Sequence, residues 1–106
     1  MPYAGTVAAW INGDGNCAGT ATGTTTNPGT ECWGLVYPSG QYAEISSFEM
    51  RPDDSKVAWK IVTYSDTHCN KVVDSQISGG GQLCFEPSPG AFTWTASQCS
   101  QNCQFA

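Results

Sequence analysis

Basic side chains are scarce. Arg51, Lys56, Lys60 and Lys71 stand against nine carboxylates, for a formal net charge of -5. A nucleic-acid surface needs clustered Lys and Arg to displace counterions, so that class of partner is excluded. An anionic membrane surface would repel the chain, and no apolar run approaches the ~20 residues that span a bilayer. Charged residues make up only 12% of the chain, about half the usual share. No window holds an apolar stripe of period 3.6, so long helices are not expected. Histidine occurs once, as His68, and no Asn is followed by the x-Ser/Thr of a glycosylation acceptor.

Cysteine, by contrast, is dense. Cys17, Cys32, Cys69, Cys84, Cys99 and Cys103 form an even set in 106 residues, which in an oxidising compartment reads as three disulfides. Structural zinc needs two close Cys or His pairs on one tetrahedral site. Only Cys99 and Cys103 are close, so neither a metal nor a cofactor is expected. Disulfides place the protein outside the cell, and Met1-Pro2 reads as a start placed ahead of a mature chain.

The clearest pattern runs from Val57 to Cys69. Val57, Trp59, Ile61 and Thr63 alternate with Ala58, Lys60, Val62 and Tyr64, the period of a strand with one buried face. Ser65-Asp66-Thr67 then supplies turn formers ahead of Cys69. The device recurs 52 residues earlier: Val7, Ala9 and Ile11 take the parity of Trp59, Ile61 and Thr63, and Asp14, Cys17, Gly29 and Cys32 align with Asp66, Cys69, Gly81 and Cys84. Trp33 then faces Phe85, and Tyr42 faces Trp94. A single domain over residues 1–106, with a two-fold repeat of 3–50 and 55–102, is the expected organisation. The repeat pairs Cys17 with Cys32 and Cys69 with Cys84, which leaves Cys99 for Cys103, one of fifteen connectivities.

Strands are expected from Tyr3 to Asn12, Glu31 to Tyr37, Gln41 to Met50, and along Val57 to Tyr64. Others follow at Lys71 to Ile77, Gln82 to Glu86 and Ala91 to Ala96, with most of Ala18 to Thr30 as loop. Pro38-Ser39-Gly40 should close a hairpin between Glu31–Tyr37 and Gln41–Met50, and Ser78 to Gly81 another. The sum is an all-β fold, a small antiparallel β-sandwich or double Greek key stapled by three disulfides. Asn12, Asp14 and Asn16 are spaced like the start of a calcium loop, but Cys17 and Gly23 stand where it needs Gly and Glu.

Trp59-Lys60-Ile61-Val62-Thr63-Tyr64-Ser65-Asp66 leading to Cys69, closed by Cys84, and the fainter copy from Val7 to Cys32 carry a resemblance. The layout resembles small secreted cysteine-rich proteins of filamentous fungi, and is similar to a βγ-crystallin-type double Greek key. The first resemblance implies an effector or toxin-like role. The acid-and-serine signature that crystallin-like domains use for calcium is missing, because Lys56 ends Asp53-Asp54-Ser55-Lys56 where Ser is required.

Catalytic signals are thin. His68 is the sole neutral-pH base, and it sits in a turn; a triad with Asp66 lacks a nucleophile elbow. A guanyl-specific ribonuclease site needs more than one histidine. No enzyme is expected. Binding fits better, because planar rings suit sugar faces and protein hot spots. Trp10 has the parity opposite to Val7 and Ala9, which predicts partial exposure, and Trp10, Trp33, Tyr42 and Trp94 are the candidate binding residues. The expectation is a secreted, monomeric, non-enzymatic protein that binds a host protein. A carbohydrate or cell-wall-binding module is the alternative, then a small hydrolase.

Overall fold

The computed structural model describes residues 4–11, 15–53, 58–78 and 81–98. Eight strands run in order as β1 Gly5–Trp10, β2 Gly23–Thr26, β3 Trp33–Gly34, β4 Ser47–Pro52, β5 Trp59–Tyr64, β6 Val72–Ser78, β7 Leu83–Phe85 and β8 Thr93–Gln98. They form two antiparallel four-stranded sheets, β2-β1-β4-β7 and β3-β8-β5-β6. The fold is a small all-β sandwich. Alternation dictates which faces meet: Val7, Ala9, Phe48, Met50 and Phe85 of the first sheet pack against Trp59, Ile61, Trp94 and Ala96 of the second, as period-two patterning requires.

The strand order holds the main finding. Sheet one takes β1, β2 and β4 from the first half and β7 from the second. Sheet two takes β5, β6 and β8 from the second half and β3 from the first. Each half therefore lends its third strand to the other sheet. This exchange cuts one expected hairpin short and overturns another. Around Pro38-Ser39-Gly40 the pairing shrinks to one bridge, Val36 with Tyr42, and the chain crosses to the other sheet before β4 begins. Likewise β7 pairs with β4, matching Phe85 to Phe48, and does not pair with β6. The Thr-rich stretch read mostly as loop supplies β2, matched to β1 through Thr26 and Thr6.

Exchange also overturns the expected disulfides. The bridges are Cys17–Cys84 and Cys32–Cys69, whereas the repeat within each half predicted Cys17–Cys32 and Cys69–Cys84. Cys32 precedes β3 and Cys84 lies in β7, so both travel with the exchanged strands to the opposite half. There each meets a cysteine in the turn after the first strand of that half. Those two partners are conformational twins: Cys17 has φ 55° and Cys69 φ 57°, an unusual left-handed backbone for a non-glycine residue. The aligned cysteines thus occupy matching places, but each bond runs between halves. Cys99 and Cys103 lie outside the described residues.

Ring contacts follow the same plan. Trp33 of β3 stacks on Trp94 at 6.3 Å, Phe85 of β7 stacks on Phe48 at 5.4 Å, and Phe48 meets the edge of Trp94 at 5.9 Å. Phe48, and not the expected Tyr42, holds the place in sheet one that Trp94 holds in sheet two. The edge-to-face contact of those two rings joins the sheets.

Candidate functional site

Of the four aromatic residues singled out from the sequence, Trp10 and Trp94 are buried and Trp33 and Tyr42 are half-buried. Trp10 does lie off the central core, as its parity requires, but it is only 6% exposed. The segment from Gly15 to Thr22 returns over it, and its indole N–H donates to the Gly19 carbonyl at 3.4 Å. The predicted exposure fails because the connection from β1 to β2 is long enough to fold back. Trp94 is 2% exposed, enclosed between Trp33 and Phe48. Trp33 is half-buried and donates its ring N–H to the Pro28 carbonyl at 3.0 Å. Tyr42, also half-buried, lays its ring on Gly34. A Cβ at Gly34 would come 2.7 Å from the Tyr42 ring, so that glycine makes room for it.

Asp66 organises the turn between β5 and β6. One carboxylate oxygen accepts the amides of Asn70 at 2.9 Å and Lys71 at 2.8 Å, and the other accepts the amide of His68 at 3.1 Å. Thr93 donates its hydroxyl to the Asp66 carbonyl at 2.6 Å. This is a turn-holding carboxylate that fixes Cys69 for its bridge. Backbone amides, with Lys71 first, hold its pKa below the ordinary 3.8 against a smaller opposing effect of desolvation. A depressed folded pKa means stability that is complete above the unfolded value and lost as pH falls through the folded one. Thermal melts from about pH 5 to about pH 2 should therefore fall more steeply for the native protein than for Asp66→Asn. Parallel acid limbs in the two proteins would refute this role for the carboxylate.

A surface groove of about 710 Å³ lies elsewhere, between the segments leading into β4 and out of β7. The first wall is Glu44-Ile45-Ser46. It is held by backbone bonds from the Ile45 amide to the Ala91 carbonyl and from the Ser46 amide to the Trp10 carbonyl, both 2.8 Å. The facing wall is Glu86-Pro87-Ser88-Pro89. Asp74 of β6 grips it, accepting the Ser88 amide at 3.2 Å and hydroxyl at 3.1 Å. Glu44 crosses between the walls to accept the Gly90 amide at 2.7 Å. At the start of the second wall, Glu86 approaches Gly15, placed there by the Cys17–Cys84 bridge nearby. Tyr37 completes the lining and is 41% exposed.

Ile45 and Pro87 are buried, while Glu44, Glu86, Ser88 and Pro89 are exposed. The groove has an apolar base and acidic sides, and the same bonds that shape the crossovers fix its walls. Sequence reasoning passed over it: Tyr37 read as a strand end, and Pro87-Ser88-Pro89-Gly90 as a turn. The signal available was a Tyr-Pro and a Pro-x-Pro in connections that carry a glutamate each. Among the described residues, no three Asp, Glu, His or Cys side chains come together as a metal site.

No protein-family model, curated protein or solved structure matches the chain.

Proposed function

We propose that the protein is a secreted, non-enzymatic binding factor of the effector or toxin type, directed at a host protein. The observation that carries this reading is the groove with Tyr37 at its edge. Among the described residues, it is the one place where an exposed aromatic ring, fixed backbone walls and charged side chains converge. Aromatic residues at partly desolvated positions are the usual anchors of protein interfaces. Preformed walls reduce the ordering cost of binding. Secretion is supported by two disulfides joining distant parts of a small domain, since such bridges persist in oxidising surroundings. The fungal origin and the crystallin-type family are proposed on the resemblance of the strand-turn-Cys unit. The exchange of third strands and the matching turns at Cys17 and Cys69 are what a doubled Greek-key unit would produce.

A cell-wall glycan is the second reading, favoured by the accessible face of Tyr37, because aromatic faces also stack on sugar rings. One comparison separates the two. Applied to intact leaf tissue, the oxidised protein is expected to elicit a host response. Tyr37→Ala should weaken that response roughly tenfold while the melting temperature stays put. An undiminished response would remove Tyr37 from the binding surface. Retention on insoluble chitin, cellulose or β-glucan, lost in Tyr37→Ala, would instead establish the glycan reading.

A further inference from the structure

We infer that the groove is built for a cationic, extended peptide segment of the partner, with an arginine side chain entering between Glu44 and Glu86. The inference rests on the binding reading and names the chemistry of its ligand. Charge is the first argument. Both exposed carboxylates of the groove belong to a chain of net charge -5, and no described residue lining it is basic. Of the basic residues described, Arg51 is engaged by Glu49. Lys60 lies on β5 and Lys71 in the turn before β6, and neither lines the groove.

The second argument is the mixed character of the lining. Ile45 and Pro87 offer an apolar base, and Tyr37 and Pro89 stand exposed beside it. A ligand that matches both parts carries its charge on an aliphatic stem. The stem of arginine packs along Pro and Tyr while its guanidinium reaches the carboxylates, where two parallel hydrogen bonds form to one carboxylate. A tyrosine face close to that cation adds further attraction. The third argument is preorganisation. The Gly90 amide fixes the Glu44 carboxylate at 2.7 Å without neutralising it, and Asp74 fixes the opposite wall through Ser88. A neutral glycan would gain little from two carboxylates that have no cationic partner among the described residues, and their desolvation opposes its binding.

The test is an amide NMR titration of the oxidised protein with hexa-arginine, alongside a glucosamine hexamer as a cationic sugar and cellohexaose as a neutral one. Shifts from hexa-arginine should cluster at Tyr37, Glu44 to Ser46 and Glu86 to Gly90. Affinity should drop at least about tenfold in Glu44→Gln/Glu86→Gln and weaken as salt rises from about 50 to about 300 mM. Glutamine still accepts the Gly90 amide, so this variant keeps the groove; an unchanged melting curve verifies it. Shifts spread over the acidic surface, or equal affinity in the double variant, overturn the proposal. Tighter groove binding by either sugar also overturns it, and would leave the groove as a binding site of the glycan class. Should hexa-arginine fail while Tyr37→Ala still weakens the host response, the cationic ligand is wrong and the binding function stands.

Discussion

Removing either described disulfide is expected to lower the melting temperature by about 15–30 °C. The bridges span 67 and 37 residues, and cross-links of that span restrict the unfolded chain by about 4 kcal/mol each in the chain-entropy picture. A domain of this size has only ~5–15 kcal/mol of total stability. Bridges within each half, as the repeat alone suggested, would close much shorter loops and stabilise less. Cys17→Ala/Cys84→Ala and Cys32→Ala/Cys69→Ala are the variants to melt, with the remaining cysteines left in place. A non-reduced digest should yield Cys17 linked to Cys84 and Cys32 linked to Cys69. Recovery of Cys17 linked to Cys32 would contradict the exchanged strands themselves.

The second large effect falls on Phe48. Its side chain is fully buried, stacked on Phe85 and set edge-on to Trp94. Phe48→Ala should cost about 3–5 kcal/mol, because the lost ring leaves a cavity where both sheets meet. Trp33→Ala should cost less, since Trp33 is half-buried and its place is already partly wet. Urea unfolding of the two variants measures the difference. A double-mutant cycle between Phe48 and Trp94 should show coupling of about 0.5–1.5 kcal/mol. Additive losses would mean that the rings do not join the sheets as described.

What could be read from the chain was decided by length of signal. β5 announces itself because six residues alternate cleanly, with Trp59, Ile61 and Thr63 buried. The alignment of Cys17 with Cys69 and of Cys32 with Cys84 was also legible, since turn and cysteine positions stand out. The exchange was not. β3 has two residues and β7 three, too few to show a period, and nothing local in Trp33-Gly34 says which distant strand it will join. With β3 misplaced, the cysteines beside it were paired within the wrong half. Trp10 shows a different limit: its parity was correct, but the Gly15 to Thr22 return that covers it is a tertiary event. The groove was hidden for a related reason. Glu44 and Glu86 lie far apart in sequence, and only the crossings made by the exchanged strands bring both to one groove.

The exchanged third strands also bear on how the protein would survive damage. A protease that cut between β4 and β5 would leave two fragments, each with four strands. Neither could leave: β3 would remain hydrogen-bonded to β8 and β7 to β4, and both described bridges would still join one fragment to the other. Separation would require two sheet ladders to open and two covalent bonds to break together. A nick in the central connection would leave a scar and not two free halves.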